Sequence, residues 1–335
     1  MILGNRKWIV HFFSIFITII LLIFLLSSIN ITSIIETLSN VNKYYLIIGF
    51  FIYAITYLLR AIRFKVLLVH PIPFLNLFSI VCIHNMATNI LPLKSGELSY
   101  IYLVRKFQNI RLGEAIATLL VARIFDLISI IPLFILSFIF LEKYSYSNQN
   151  IAPLLALMLI LIIILMLSLF KYGKTVFRTM HSFYIKSRFY DLSFLTILLL
   201  KGRDMIEALE SIKTRNILFF GEIVLISLSI WISIFLLNYV LILSLGLNLD
   251  FLEVMFASTF GICATMLPIQ GVLGFGTFEL GWMIGFITIG LSSDSAISTG
   301  FSYHIIIISY FLILGLFGVF NLLIMRYSRN SIVIK

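Results

Sequence analysis

Long apolar runs separated by short polar stretches dominate the chain. A helix needs about 20 apolar residues to cross the hydrocarbon core of a bilayer. Runs near that length predict six transmembrane helices, at about 8–29, 44–59, 115–141, 151–170, 217–245 and 301–325. The first run is too long for the apolar region of a signal peptide, so we expect it to stay in the membrane. The pattern therefore predicts an all-α polytopic membrane protein.

Two further apolar segments, 74–97 and 251–291, contain helix-breaking residues. Proline cannot donate the helical hydrogen bond, and a broken helix within the membrane must have its freed backbone groups satisfied by protein or by a wet cavity. Each segment is predicted to be a re-entrant hairpin, and the alternative is a kink in an ordinary spanning helix. The breakers are Pro92 and Gly96 in the first segment, and Pro268, Gly271, Gly274 and Gly276 in the second.

The distribution of basic residues predicts the orientation. Cytoplasmic loops of membrane proteins are enriched in Lys and Arg. Segment 171–215 holds nine of them, whereas 246–300 holds none. Only Lys43 and Lys143 of the 24 basic residues then face outward, and both termini are predicted to lie inside the cytoplasmic (inner) membrane. Segment 171–215 could be an amphipathic helix on anionic headgroups or a plain cytoplasmic linker.

Composition excludes a soluble protein. Hydrophobic residues make up 61% of the chain, charged residues 11%, and the mean hydropathy is +1.13. Soluble domains have roughly 45–50% and about 25% of these classes. The net charge of +10 follows from basic cytoplasmic loops and does not require nucleic acid as a partner.

The two hairpin segments resemble each other. Each reads Ala-Thr, then Leu-Pro, then glycine, and each ends in a glutamate, Glu97 or Glu279. The first hairpin is predicted to enter from the cytoplasm and the second from outside, which is typical of inverted-repeat transporters with a site near the bilayer midplane. We therefore expect one transmembrane domain over 1–335, with repeats at about 44–141 and 217–325.

Ionisable residues within spans mark the candidate site, because each costs roughly 2.5–3.5 kcal/mol to insert. Arg123 and Asp126 are three residues apart on one predicted helix and can touch. They could form an internal ion pair, or Arg123 could grip a lipid phosphate while Asp126 holds it in place. Glu97 and Glu279 could cap helix N-termini, bind a cationic or hydroxyl-rich headgroup, or take up protons.

Other polar residues receive separate predictions. Arg60 and Arg63 follow the second apolar run, where snorkelling to the interface explains them well. Lys94 lies inside the first motif and is a candidate for phosphate binding. His84 and His304 are isolated in sequence and are expected to be hydrogen-bonded helix residues.

At these motifs the chain resembles the flippase-like transmembrane family that includes the membrane region of lysylphosphatidylglycerol synthases. Members share N-x-x-P-x-x-x-G-E, here Asn89 to Glu97, then E-R-x-x-D on the next helix, and a late Pro/Gly-rich segment ending in glutamate. Here Ala122 replaces the glutamate of the middle motif, and the glycine spacing of the late segment is looser. The resemblance covers nearly the whole chain and implies transport of a lipid or lipid-linked sugar between leaflets.

The implied substrate is a membrane phospholipid or a polyprenyl-phosphate-linked lipid, and a lipid-modifying enzyme or a glycosyltransferase is the kind of partner expected. The chain ends at Lys335 without the soluble aminoacyl-transferase domain of the bifunctional synthases, so we expect a transporter and not an enzyme. No cofactor or metal is expected. The residues predicted to bind substrate are Asn89, Pro92, Lys94, Gly96, Glu97, Arg123, Asp126, Pro268, Gly271, Gly274, Gly276 and Glu279.

Two other functions fit the sequence. A membrane glycosyltransferase with a polyprenyl-phosphate donor would need acidic residues in external loops, where Glu36, Asp250 and Glu253 are the candidates. Those loops look too short to bind an acceptor. A channel or small-solute carrier also fits two opposed broken hairpins.

Overall fold

The computed structural model describes residues 31–91, 95–142, 214–266 and 272–333, with scattered single residues between 23 and 25, 157 and 182, and 206 and 212. In these ranges the regular structure is helical, without a strand. The predicted spans at 8–29 and 151–170 and the predicted cytoplasmic segment 171–215 lie almost wholly outside the described residues.

Nine α-helices and one short 3-10 helix follow one another in the described ranges. The helices are α1 (Ile31–Ser39), α2 (Lys43–Leu67), α3 (Phe74–Ile90), α4 (Glu97–Gln108), α5 (Leu112–Glu142), α6 (Ile217–Ser244), α7 (Phe251–Met266), α8 (Thr277–Thr288) and α9 (Ser293–Val333), and the 3-10 helix (Val272–Gly274) precedes α8.

Four of these helices, α2, α5, α6 and α9, are long and apolar enough to cross a membrane. Asparagine caps begin two of them: the side chain of Asn42 accepts the backbone N–H of Tyr44, and that of Asn216 accepts the N–H of Phe219. Large apolar side chains such as Phe51 and Phe320 are exposed on the outside of the bundle, where lipid would cover them. The prediction of an all-α polytopic membrane protein is confirmed.

Short helices packed in pairs lie at the two predicted hairpins, α3 with α4 and α7 with α8. The second pair falls within 251–291, whereas α4 extends from Glu97 to Gln108, beyond the predicted bounds of the first hairpin, 74–97. Their arms have 17, 12, 16 and 12 residues, fewer than the about 20 needed to cross the hydrocarbon core. Gly96 permits the close approach in the first pair, because a Cβ there would overlap the backbone of Ala87. The membrane face from which each hairpin enters stays a prediction from the charges.

Packing between the two predicted repeats is reciprocal. The first long helices, α2 and α6, pack against each other along an extensive contact. The last helix of each repeat packs on the first hairpin helix of the other, α9 on α3 and α5 on α7. A two-fold relation between repeats produces such a pattern. The repeat boundaries themselves stay a prediction.

Small residues and polar contacts fix helix α9 against its neighbours, as is common in membrane bundles. Gly315 lies against Met86, so that α9 and α3 approach closely. The hydroxyl of Tyr303 donates to Oδ1 of Asn238 on α6 at 2.6 Å, and that of Tyr310 donates to the carbonyl of Leu46 on α2 at 2.5 Å. These contacts hold the walls of the cavities described next.

Candidate functional site

A cluster of charged side chains lies between helices α2, α4, α5 and α6, with the carboxylate of Asp126 at its centre. Arg63 donates to Oδ1 of Asp126 at 2.6 Å, and Arg123 donates to Oδ2 at 3.0 Å. The indole N–H of Trp231 donates to Oδ1 at 3.2 Å. The side chains of Arg63 and Asp126 are 1% and 3% exposed, so this pair is held away from lipid and water.

Glu97 joins the cluster from the start of α4. Its Oε1 accepts a hydrogen bond from Nη2 of Arg123 at 2.5 Å, and its Oε2 lies 3.8 Å from Nε2 of His84. Arg123 and Glu97 remain 33% and 24% exposed, in contrast to the buried Arg63–Asp126 pair. The predicted contact between Arg123 and Asp126 is confirmed, and Arg123 also links Asp126 to Glu97.

Arg60, one helical turn before Arg63 on α2, has a different environment. The charges of Asp126, Arg63 and Arg123 act on the Arg60 guanidinium, but no carboxylate in the described part of the chain lies within ion-pair distance of it. Counted over the described residues, the cluster thus combines three guanidinium groups with two carboxylates, Glu97 and Asp126, and has a formal net charge of +1.

The expectation that Arg63 snorkels to the interface was wrong. Its side chain is buried, and it also donates to Oγ of Ser227 on α6 at 3.0 Å. Helix α2 does not end near Leu59 but continues to Leu67, and within the bundle Asp126 of α5 neutralises the charge of Arg63.

A cavity of about 600 Å³ opens beside the cluster. Arg60, Glu97, Arg123 and Asp126 form its charged part. Most of the remaining wall is apolar and comes from α5, α6 and α7, with Ile116, Leu119, Leu120, Leu127, Ile234, Ile262 and Met266. A cavity that combines charge with an apolar wall suits an amphipathic ligand.

A smaller cavity of about 200 Å³ adjoins the first. Arg60 lies where they meet, because it belongs to both walls. The other shared residues are Asn85, Thr88, Ile234, Ile262 and Thr265. Hydroxyl and amide side chains from α2 and α3 line one part of the smaller cavity, together with Thr265 of α7 and Tyr303 and His304 of α9. The rest of its wall is apolar, with Ile234, Leu237, Ile262, Leu273, Phe278 and Ile307.

Glu279, at the start of α8, is fully buried and lines neither cavity. Its Oε2 accepts the backbone N–H of Gly276 at 2.7 Å, which caps its own helix. Its Oε1 lies 2.5 Å from Nδ1 of His304, and His304 lines the smaller cavity. The predictions that His84 and His304 are hydrogen-bonded helix residues are confirmed, since Nδ1 of His84 bonds Ser99.

The structure separates the predicted site residues into groups. Glu97, Arg123 and Asp126 meet at the larger cavity, and Asn89 and Gly274 line the smaller one. Gly276 and Gly274 have positive φ angles of 83° and 81°, which explains glycine in this loop. Gly96 lies at the contact between α3 and α4 described above. Pro92, Lys94, Pro268 and Gly271 lie outside the described residues.

Sequence reasoning did not assign Arg60, Trp231 or His304 to the site. A signal for the arginines was present: Arg60 and Arg63 are three residues apart, so they share one helix face, as do Arg123 and Asp126. For Trp231 no local signal exists, because its partner lies 105 residues away. Among the described residues no group of three or more His, Cys, Asp or Glu could hold a metal ion.

Comparison with known proteins agrees with this architecture. The family model described as the lysylphosphatidylglycerol synthase TM region matches residues 11–315. A comparison with curated proteins gave no match. Because the family model covers most of the chain, including every described residue that lines the two cavities, the chain belongs to the lysylphosphatidylglycerol synthase transmembrane-region family.

Proposed function

We propose that this protein moves a phosphate-bearing lipid, either a phospholipid or a lipid-linked sugar, between the leaflets of the cytoplasmic membrane. The observation that carries the proposal is the larger cavity, which joins a long apolar wall to a cluster with one net positive charge. Membership of the family places the chain among membrane proteins with a role in lipid or glycan metabolism.

The energetic barrier to such movement is the polar headgroup. Charged groups are costly in hydrocarbon, so a headgroup crosses readily only where protein supplies polar partners. A guanidinium group forms charge-assisted, often bidentate hydrogen bonds with phosphate, and it does so better than a lysine ammonium. Arg60 is the residue proposed to bind phosphate, because Arg63 and Arg123 already bind carboxylates.

The apolar wall would contact the acyl or prenyl chains of the lipid. Residues such as Leu119, Leu120 and Ile262 line the cavity opposite or beside the charged groups, and they cannot hydrogen-bond a solute. This favours an amphipathic substrate over the small-solute carrier, which would need a path lined by polar groups throughout.

The proposal assigns transport and no covalent chemistry to the chain. Of the external acidic residues a glycosyltransferase would need, Glu253 accepts the backbone N–H of Asp250 at 2.8 Å and so caps α7. A lipid-modifying enzyme or a glycosyltransferase would then be a separate partner that makes or uses the lipid. The orientation, with both termini inside, is proposed from the charge distribution along the sequence.

Lipid exchange in liposomes tests this function. Purified protein is reconstituted with fluorescent phosphatidylglycerol, an aminoacylated phosphatidylglycerol or a polyprenyl-phosphate sugar, and a membrane-impermeant quencher reports the outer leaflet. We expect at least one lipid to become fully accessible to the quencher much faster than in protein-free liposomes. Equal rates with and without protein for all three lipids would refute the proposal, and solute flux without lipid movement would favour the carrier.

A further inference from the structure

The smaller cavity has a lining that the charged cluster does not explain. Hydroxyl and amide groups converge on it from four helices, α2, α3, α7 and α9, and no aspartate or glutamate lines it among the described residues. Apart from the tyrosines, Arg60 and His304 are the charged or titratable groups that line it within the described ranges. The polar side chains that carry the argument are Tyr53, Tyr57, Asn85, Thr88 and Asn89.

These side chains have already used hydrogen-bond donors on the protein itself. The hydroxyl of Thr88 donates to the carbonyl of His84 at 2.8 Å, and the side-chain amides of Asn85 and Asn89 donate to carbonyls one turn earlier, each at 2.8 Å. The threonine oxygen and the amide oxygens keep lone pairs for a ligand, and each amide keeps a second N–H. The cavity therefore offers both acceptors and donors, which suit a hydroxyl group because it donates and accepts, whereas an ammonium group only donates.

Charge distinguishes a hydroxyl from an ammonium group, which is also a donor. An ammonium group in the smaller cavity would lie beside the guanidinium of Arg60 without a lining carboxylate to compensate it. Burying an unpaired charge is costly, and the nearby like charge adds to that cost. Glu279 does not line the cavity, and its oxygens already accept bonds from Gly276 and lie against His304, so it cannot form a direct ion pair with a ligand there.

The position of Arg60 sets how a lipid would lie. Arg60, Asn85 and Thr88 belong to both cavity walls, so a phosphate on Arg60 would have its apolar chains in the larger cavity and the rest of its headgroup in the smaller one. The larger cavity has the longer apolar wall, which suits acyl chains, and the smaller cavity has most of the hydroxyl and amide groups, which suit a headgroup.

We infer that the smaller cavity is a headgroup subsite for a neutral, hydroxyl-rich group esterified to phosphate, and that it disfavours a cationic aminoacyl headgroup. This rests on the proposed function, since it names the lipid class that the same site takes. Glycerol and a sugar share the polyol chemistry that the lining recognises, and they are distinguished by experiment.

Competition binding with the full-length protein in detergent tests the inference. A fluorescent phosphatidylglycerol is the probe, and unlabelled phosphatidylglycerol, lysyl-phosphatidylglycerol and phosphatidic acid with equal acyl chains are the competitors. We expect phosphatidylglycerol to compete at least about tenfold better than the lysyl lipid, the size of effect for one hydrogen bond to a charged group. Equal or better competition by the lysyl lipid would overturn the inference.

A second pair of competitors separates the polyol sources. A polyprenyl-phosphate hexose that competes better than phosphatidylglycerol would identify a sugar headgroup, and the reverse order would identify glycerol. Phosphatidic acid, which keeps the phosphate and lacks a headgroup, should compete less well than the better of the two. If phosphatidic acid competes best, the subsite does not exist.

A matched pair of variants tests whether the lining of the smaller cavity causes the headgroup preference. Thr88→Val removes a lining hydroxyl, whereas Thr288→Val removes a hydroxyl with the same bond to its own helix, 2.8 Å to the carbonyl of Ile284, outside both cavities. Thr88→Val should reduce phosphatidylglycerol binding several-fold with little change for phosphatidic acid, and Thr288→Val should change neither. Asn85→Leu provides an independent test with the same expected direction. Identical binding of the two threonine variants and of Asn85→Leu would refute the inference.

Translocation in liposomes separates this inference from the proposed function. If the wild type moves phosphatidylglycerol and its lysyl derivative at equal rates, the headgroup inference fails while the function stands. If the wild type binds the neutral headgroup selectively but moves no lipid, the function fails while the subsite stands.

Discussion

The intramembrane arginines differ in how their charges are compensated. Arg63 and Arg123 both bind Asp126, and Arg123 also binds Glu97. Arg60 lacks such a partner in the described part of the chain. Because an intramembrane charge without a partner is expensive, its presence beside a cavity favours a ligand that supplies the missing anion.

The same substitution at two positions on α2 tests this difference. Arg63→Leu is expected to lower the free energy of unfolding by about 3–5 kcal/mol, because removing one partner leaves the buried Asp126 with an incomplete set of donors. Arg60→Leu, one turn earlier, should leave stability unchanged or raise it, since no ion pair is lost. Thermal unfolding of both variants in one detergent gives the comparison. Equal losses at the two positions would contradict the assignment.

Sequence alone could predict only the local part of this cluster. The contact of Arg123 with Asp126 follows from their spacing on one helix. Arg63 and Asp126 are 63 residues apart in the sequence, so no local spacing indicates their contact. In the sequence, Arg63 resembles an arginine at a helix end that snorkels to the interface. Which side chains neutralise each other across helices depends on packing, which no local pattern encodes.

In each hairpin, the two short helices approach each other closely at a glycine. Gly96 precedes α4 and lies against the backbone of Ala87 on α3. At this point Glu97 begins α4 and reaches Arg123. The geometry of the break therefore positions one carboxylate of the charged cluster.

Gly96→Ala is expected to lower thermal stability, because its Cβ would overlap the backbone of Ala87 and force α3 and α4 apart. Gly221→Ala, where a Cβ meets nothing within 4 Å, is the control. Within helix α6 that change should be neutral or stabilising by up to about 1 kcal/mol. The midpoint of thermal unfolding is the readout, and an unchanged midpoint for Gly96→Ala would show that the close approach is not required.

Most of the described helices could be predicted from the sequence, because hydropathy and helix-breaking residues are local signals. The spans predicted at 115–141 and 217–245 correspond to α5 and α6, and segment 251–291 is a helix pair. The segment predicted at 74–97 was too short, because it ends where the second helix of the pair, α4, begins. The two hairpin glutamates were expected to be equivalent. They differ because Glu97 meets Arg123, whereas Glu279 caps its own helix and bonds His304.

In the molecule as a whole, the two cavities lie between the predicted repeats. Their shared walls come from α2, α3, α6 and α7, so residues from both repeats contribute. A site at a repeat interface could be exposed to either side by rocking one repeat against the other. The reciprocal packing of α9 on α3 and of α5 on α7 is the contact that such a motion would change.

The central claim is that the net positive charge at Arg60 is needed to move a phosphate-bearing lipid. The most direct test compares the exchange of fluorescent phosphatidylglycerol in liposomes that contain wild-type protein, Arg60→Gln or Arg105→Gln. Arg105 is an exposed residue of α4 that lines neither cavity, so its variant removes the same charge elsewhere. We predict that Arg60→Gln slows exchange at least about tenfold, as for loss of a hydrogen bond to a charged group, while Arg105→Gln exchanges lipid at the wild-type rate. Exchange by Arg60→Gln at the wild-type rate would contradict the account.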